Sequence, residues 1–196
     1  REAFLAEQAQ GAEFWTYSCG ASYGNDGETQ HCPDSGVSDP PLERRIYPWF
    51  CYKWDFKGFL LFTMNSWGTW TEEGKNLTTD PAKRWPLNGE KNVTDSDYQL
   101  IYPAPDGRPV ASMRLENLRD GMEDYEYLYM LEDLLAKLKA AGIAPELVKQ
   151  GEALLNLEPD IIVHANDFVK DPSLLVARRN AIGDLIVKLR SELQLS

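Results

Sequence analysis

Residues 58–70, GFLLFTMNSWGTW, carry a strong signal for a buried strand. The stretch opens with the continuous apolar run FLLF, which is typical of a β-strand covered on both faces, as in parallel sheets. An amide and two indoles, Asn65, Trp67 and Trp70, follow where the chain should turn toward solvent. The pattern therefore predicts a buried strand whose carboxyl end carries side chains suited to binding a ligand.

Alternation with a period of two divides residues 58–67 into two faces. We expect one face to pack on helices, and it comprises Leu60, Phe62 and Met64. The other face becomes polar toward the strand end, and it comprises Thr63, Asn65 and Trp67. The polar face is therefore the one expected to line a cleft.

A second strand is predicted upstream in EFWTYSCG, residues 13–20, which is dense in aromatic residues. Alternation places Trp15, Tyr17 and Cys19 on one face of it. Function in parallel α/β sheets collects at the carboxyl ends of strands. The side chains of both strand ends are therefore the candidates for a common site.

The order of elements predicts βαβ units with parallel strands. The predicted elements are a helix ended by Gly11, a strand at 14–19, a helix within PPLERRIYPWFCYKWDF at 40–56 that Pro48 kinks or divides, a strand at 58–66, a short strand ending at Pro103, a helix from Ser112 to Gly142, and helices near 144–156 and 173–193. Two main strands are too few for a parallel sheet that is buried on both faces. The sheet is therefore expected to be only partly encoded in these residues.

Composition narrows the class of function. The 196 residues carry a formal net charge of −11, which argues against a nucleic-acid partner because phosphates would be repelled. No apolar run approaches the roughly 18 residues that a membrane-spanning helix needs, so no membrane partner is expected. The hydrophobic fraction of 43% is ordinary for a globular domain with its own core.

Metal and cofactor chemistry is not indicated by the cysteines and histidines. Cys19, Cys32 and Cys51 lack metal-ligand spacing, and neither His31 nor His164 has partners at such spacing. We therefore expect no metal and no cofactor. A Cys19–Cys32 pair in an oxidising compartment is one open alternative, and the NLT and NVT glycosylation patterns leave a secreted or periplasmic location open as well.

The mixture of indole, phenol and amide groups suits a sugar. A sugar ring can stack its C–H face on tryptophan while its hydroxyls bond to asparagine and tyrosine. The alternative is that the rings simply fill a core. On the first interpretation Tyr17, Asn65, Trp67 and Trp70 form a carbohydrate-binding surface.

Three segments resemble a known family. They are FWTYSCG at 14–20, RRIYPWFCYKWDFKGFLLFTMNSWG at 44–68 and YQLIYPAPDGRPVASMRLENLRDGMEDYEYLYML at 98–131. Together they resemble the C-terminal part of the catalytic domain of glycoside hydrolase family 123. The similarity covers roughly residues 1 to 138, and SMRLENLRDGMEDYEYL is its most specific piece.

The resemblance implies an α/β fold, the C-terminal portion of a (β/α)₈ TIM-type barrel followed by extra helices. Residues 14–19 would be the seventh barrel strand and 58–66 the eighth. Residues 1–143 would form the last strands and helices of the barrel, and 144–196 a helical extension packed on the same domain. Open strand edges would then require the rest of the barrel or another copy of the chain.

The resemblance also implies cleavage of β-linked N-acetylgalactosamine with retention, in which the substrate's own acetamido group is the nucleophile. The family's catalytic pair is an adjacent Asp-Glu at the end of an earlier strand, and no segment here matches it. No catalytic residue is therefore expected in this chain, which alone would be inactive. The substrate-binding residues that we expect are Trp15, Tyr17, Asn65, Trp67, Trp70 and Arg114.

The acidic run RDGMEDYEY has two interpretations. By composition Arg119, Asp120, Glu123, Asp124 and Glu126 resemble an active site. Helical spacing favours instead an ion-paired helix packed on the outside of the barrel, with Arg119 and Glu123 four residues apart. For the chain as a whole, the alternative to a hydrolase segment is a non-catalytic carbohydrate-binding or interaction domain.

Overall fold

The computed structural model describes residues 2–18, 33, 39–62, 64–65, 99–104, 106 and 108–193. The elements are α1 (Glu2–Ala9), β1 (Trp15–Ser18), α2 (Pro41–Lys53), β2 (Gly58–Leu61), β3 (Ile101–Pro103), β4 (Pro109–Ala111), α3 (Met113–Ala141), α4 (Pro145–Leu155), β5 (Ile162–His164), β6 (Asp167–Phe168) and α5 (Pro172–Glu192).

The two main strands form one parallel pair. β1 lies beside β2 with Trp15 opposite Gly58 and Ser18 opposite Leu61, and α2 connects them. The prediction of a parallel βαβ unit is therefore confirmed. Among the described residues the sheets are all two-stranded, so this part of the chain shows no closed barrel.

The prediction of which face of β2 packs on helices is wrong. Phe59, on the opposite face from Leu60, meets the ring of Tyr47 in α2 edge-on at 5.5 Å between centroids. Thr16 of β1 shares that face, and its Oγ1 lies 3.1 Å from the Tyr47 hydroxyl. Leu60 and Phe62 are exposed instead. Because FLLF is apolar at every position, alternation alone could not tell which face turns to α2.

Helix α2 continues through Pro48 as one helix of 13 residues, so the expected division there is not found. Pro48 has no N–H to donate to the preceding turn, and the helix depends on packing at that point. The packing comes from α3, which crosses α2 at Gly121. A Cβ on Gly121 would lie 2.2 Å from the backbone oxygen of Arg45 and 3.0 Å from Pro48 Cδ.

Helix α3 has the predicted ends. The Ser112 hydroxyl accepts a hydrogen bond from the Leu115 N–H at 3.2 Å, as an N-cap does. Gly142 ends the helix after 29 residues in the left-handed conformation, with φ at 69°. No described helix is both long enough and apolar enough to cross a bilayer.

One hydrophobic core joins α2 to the last helices. It contains residues from α2, α3, α4, α5 and the β5–β6 hairpin. Its fully buried members include Trp49, Leu128, Leu131, Ile182 and Leu189. The helices near 144–156 and 173–193 are confirmed within a residue or two, whereas β4, β5 and β6 were not predicted.

Ionisation of Cys51 is expected to lower the free energy of unfolding at alkaline pH. Burial raises the pKa of its thiol from 9.0 to about 11. Between those pH values the folded chain keeps a proton that the unfolded chain loses, so stability falls as pH rises. At 1.36 kcal/mol per unit, the loss is about 2–3 kcal/mol. Urea unfolding in reducing buffer at pH 8 and pH 11 should show this extra loss in wild type relative to Cys51→Ala.

The comparison with Cys51→Ala isolates the thiol. Burial also raises the pKa values of Tyr52 and Tyr125, but those groups titrate in both proteins. Their contribution therefore cancels in the difference, except for the smaller part of the raised Tyr125 pKa that comes from the charge of Cys51 itself. Equal pH dependence in the two proteins would contradict the assignment to Cys51.

Candidate functional site

An exposed apolar face runs across β1 and β2. We call it the aromatic sheet face, and it consists of Trp15, Tyr17, Leu60 and Phe62. These side chains are 65%, 53%, 60% and 59% exposed, respectively, while the opposite face of the same strands packs on α2. Tyr17 lies directly across from Leu60 in the parallel register. The face therefore presents rings and aliphatic groups side by side on a flat backbone support.

The position of the Trp15 indole depends on a glycine. Gly58 is the strand partner of Trp15, and a Cβ built there would lie 2.7 Å from Cε3 of the indole. The six-membered part of the ring therefore lies directly over the Gly58 backbone. The missing side chain leaves room for the indole to lie against the sheet, as aromatic residues do over glycines in neighbouring strands.

The carboxyl end of β2 lies next to the start of α3. The backbone oxygen of Met64 accepts hydrogen bonds from the N–H groups of Leu100 and Ile101 at 3.1 and 2.9 Å. The Leu100 oxygen in turn accepts from the Ser112 N–H at 2.9 Å. Asn65 follows Met64 and is exposed. These bonds bring the end of β2 and the N-cap of α3 to the same edge of the molecule.

Arg114 holds the residues that precede and form β3. One of its terminal nitrogens donates to the Gln99 backbone oxygen and to the Tyr102 hydroxyl, both at 2.5 Å. The guanidinium carbon also lies 5.9 Å from the centre of the Tyr102 ring. The side chain is half-buried in this arrangement, so the observed contacts of Arg114 position the strand-end edge. A contact between Arg114 and a ligand stays a prediction.

The predicted site residues are thus placed in two groups. Trp15 and Tyr17 lie together on the aromatic sheet face, with Trp15 at the amino end of β1 and Tyr17 one pleat, roughly 7 Å, closer to its carboxyl end. Asn65 and Arg114 lie at the edge where β2 ends. Trp67 and Trp70 lie outside the described residues. Leu60 and Phe62 were missed, because the apolar run assigned them to the helix-packed face.

The acidic run in α3 is a structural element. Asp124 is only 1% exposed, and its Oδ2 accepts from Arg45 Nε at 2.8 Å and from the Trp49 indole N–H at 3.1 Å. The other oxygen accepts from an Arg45 terminal nitrogen at 3.1 Å and lies 3.6 Å from Arg179 Nε. The hydrogen bond to Asp124 raises the pKa of Arg45. This carboxylate therefore joins α2, α3 and α5.

The exposed part of the same run forms surface ion pairs. Arg119 lies 2.5 Å from Glu116, 3.3 Å from Asp120 and 3.6 Å from Glu123. These contacts confirm the interpretation of an ion-paired helix. The described geometry therefore leaves an exposed face of rings and aliphatic groups on the β1–β2 pair, and it gives the buried carboxylate of Asp124 a structural role.

A comparison with known protein families gives a match to the first two thirds of the chain. The family model described as "Glycoside hydrolase 123, catalytic domain" matches residues 1–131. The match spans β1, α2, β2, the β3–β4 hairpin and most of α3. No curated protein matches the chain.

Proposed function

The chain belongs to glycoside hydrolase family 123, with residues 1–131 in the catalytic domain of that family, and we propose that its aromatic sheet face is part of the wall that binds the sugar. A glycoside hydrolase acts on a carbohydrate, so the ligand chemistry to consider is that of a hydroxylated ring. The observation that carries the proposal is the position of Tyr17 near the carboxyl end of β1, beside Leu60 and on the sheet face opposite α2.

The chemistry of the face suits this role. In a barrel, the face opposite the connecting helix is the inner face, so the rest of the barrel would cover the part near Trp15, and the sugar is proposed to meet the carboxyl end, where Tyr17 lies. The C–H face of a sugar can cover an indole or phenol ring. The Tyr17 hydroxyl and the Asn65 amide supply donors and acceptors for sugar hydroxyls. Asn65, Trp67, Trp70 and Arg114 are proposed to extend the wall around the strand ends.

The proposed substrate is an N-acetyl-β-hexosaminide, with N-acetylgalactosaminides as the first choice. Hydrolysis would proceed with retention, the acetamido oxygen of the substrate attacking the anomeric carbon. The reaction needs an adjacent Asp-Glu pair, and the 196 residues contain no Asp-Glu dipeptide. We propose that sequence outside these residues supplies that pair, so the chain alone binds the sugar without cleaving it.

We also propose that residues 1–143 contribute the last strands and helices of the barrel, and that 144–196 extend the same domain. Support for the extension comes from the core, in which α3 packs with α4 and α5. The parallel β1–β2 pair with its connecting helix is the arrangement of two successive barrel strands. The two exposed edges of this pair would be covered by the rest of the barrel or by another copy.

A non-catalytic sugar-binding domain is the second candidate function. The absence of an Asp-Glu dipeptide in these residues favours it. An adjacent Asp-Glu pair at a strand end, in a longer protein that contains this chain, would favour the hydrolase. A full-length protein that binds the sugar at this wall but does not hydrolyse an aryl N-acetyl-β-galactosaminide would favour the non-catalytic function.

Tyr17→Ala tests the wall. Stacking on one ring contributes about 1 kcal/mol, so the variant should bind N-acetylgalactosamine about fivefold more weakly in calorimetry. Tyr17 is exposed, so its removal should leave the thermal transition nearly unchanged. In a protein that also contains the Asp-Glu pair, the same substitution should lower kcat/KM by a similar factor.

The matched control is Leu174→Ala, which removes an exposed apolar side chain from α5. It should change neither affinity nor rate. Wild-type affinity in Tyr17→Ala would contradict the placement of the sugar on this face. Turnover by the 196-residue chain would contradict the proposed source of the acid and base.

A further inference from the structure

A second cleft lies away from the strand ends. Its volume is about 440 Å³, and it opens between the end of α2, the middle of α3 and the end of α4. We call it the helical cleft, and its walls include Tyr52, Asp55, Tyr125, Tyr129, Glu132 and Asn156. Lys57, which also lines it, immediately precedes β2. The helical cleft therefore lies toward the amino end of β2, whereas Asn65 lies beyond its carboxyl end.

The helical cleft combines aromatic walls with apolar residues of α4 and the turn after it. The rings of Tyr52 and Tyr125 meet edge-on at 6.1 Å between centroids. Tyr129, one turn further along α3, is exposed at the rim. Leu155 and Leu157 contribute the aliphatic part of the lining. Most of the lining is polar or charged, so the cleft has the volume of a small-molecule site but suits a hydrophilic ligand that can also lie against a ring.

The cations of the helical cleft already have anionic partners. Lys53 forms an ion pair with Glu158 and donates to the Ile162 backbone oxygen at 2.8 Å. Lys57 lies 2.5 Å from Asp55. Among the lining residues that the structure describes, no cation is therefore left to pair with a phosphate or a carboxylate. An anionic ligand is therefore disfavoured in this cleft.

The remaining polar groups suit hydroxyls. Burial raises the pKa of the Tyr52 hydroxyl and the nearby Glu132 carboxylate raises it further, so Tyr52 keeps its proton throughout the neutral range. Glu132 accepts from the Tyr52 hydroxyl and Asn156 Oδ1 accepts from the Glu158 N–H at 3.3 Å. Each oxygen group keeps lone pairs for a further hydroxyl, and Asn156 also offers an amide donor. Acceptors and donors that stand beside rings are what a neutral polyhydroxylated ligand requires.

From this geometry we propose that the helical cleft is a second saccharide site, which binds one sugar unit against Tyr129 with hydroxyls directed to Glu132 and Asn156. The site is separate from the aromatic sheet face and has no part in bond cleavage. Two sugar sites on one chain would let a longer glycan engage both and bind more tightly than at either alone. The inference does not depend on the proposed hydrolysis.

The test is an NMR titration of the 196-residue chain with galactose, N-acetylgalactosamine and N-acetylglucosamine, each up to about 50 mM, because single-sugar affinities fall in the millimolar range. At least one sugar should shift the amides of Tyr129, Glu132 and Asn156 in a saturable way. Tyr129→Ala should weaken that binding about tenfold. Glu132→Gln, which keeps the shape and removes the charged acceptor, should weaken it by a smaller factor.

Val187→Ala, at an exposed position on α5, is the matched control and should bind as wild type does. Saturable shifts confined to Trp15 and Tyr17 would overturn the second site while supporting the first. Unchanged affinity in Tyr129→Ala, or no shift at the helical cleft with any of the three sugars, would also overturn it. Tyr17→Ala should leave binding in the helical cleft intact, so failures of the two proposals can be told apart.

Discussion

Asp124→Ala is expected to lower the free energy of unfolding by about 3–5 kcal/mol, because it removes one partner from a buried ion pair. The substitution removes the hydrogen-bond acceptor of two side chains at once. Arg45 donates two hydrogen bonds to this carboxylate, and the Trp49 indole N–H donates a third. Without the acceptor, the buried indole N–H has lost this partner, and the partly buried Arg45 keeps only the weaker contact with Asp120 at 3.6 Å. Urea unfolding followed by circular dichroism at pH 7 measures the change.

Two variants separate the charge of Asp124 from its place in the packing. Asp124→Asn keeps the shape and one acceptor oxygen, so its loss should be smaller than that of the alanine variant. Glu123→Ala removes the neighbouring carboxylate, which is exposed and lies 3.6 Å from Arg119. Surface ion pairs of that kind contribute less than about 1 kcal/mol. Equal losses in Asp124→Ala and Glu123→Ala would contradict the structural role of Asp124.

Gly121→Ala is expected to destabilise the chain by about 2 kcal/mol or more. The added methyl group would lie 2.2 Å from the Arg45 backbone oxygen, which no rotamer change can move. Overpacking of this kind costs about 1–3 kcal/mol and sometimes more. Alanine gains roughly 1 kcal/mol over glycine in a helix, which offsets part of the cost. The helices must separate, so thermal and urea unfolding should both show the loss.

The matched control is Gly183→Ala in α5, also a glycine inside a long helix. A Cβ there would meet the Tyr127 ring at 3.0 Å, and a ring can shift by a few tenths of an ångström. Helix propensity then compensates for the crowding, and the net change should stay within about 1 kcal/mol. A Gly121→Ala protein as stable as wild type would show that α2 and α3 do not touch at this point.

The fold followed from the sequence where local chemistry decides it. Ser112 and Gly142 bound α3 because a hydroxyl cap and a left-handed glycine act through the adjacent backbone. The packed face of β2 did not follow, because an all-apolar run fits either register. The β5–β6 hairpin was missed because strands of two or three residues are too short to show a period.

The buried position of Asp124 could have been predicted from the sequence. It lies four residues before Leu128 and seven before Leu131, so helical spacing places it on the buried face of α3. Glu123 lies 100° away around the helix and is exposed, although composition alone does not distinguish the two acids. The partners Arg45 and Trp49 could not be predicted, because they come from another helix more than 70 residues away along the chain.

The candidate site was predictable in part. Alternation along one strand placed Trp15 and Tyr17 on the same face, and the structure has them there. The contacts of Arg114 with Gln99 and Tyr102 could not be foreseen, because they depend on how the β3 segment lies across the start of α3. For Trp67 and Trp70 the role as substrate-binding residues stays a prediction.

Because Trp15 lies against Gly58, a substitution at position 58 could be used to change the position of the indole. A side chain there would lift the indole from beneath, and larger groups would tilt it further. The shape of the aromatic sheet face could thus be altered at a residue whose own atoms need never meet the ligand. Directed evolution of the proposed sugar-binding wall should therefore include this glycine as well as the side chains proposed to contact the ligand.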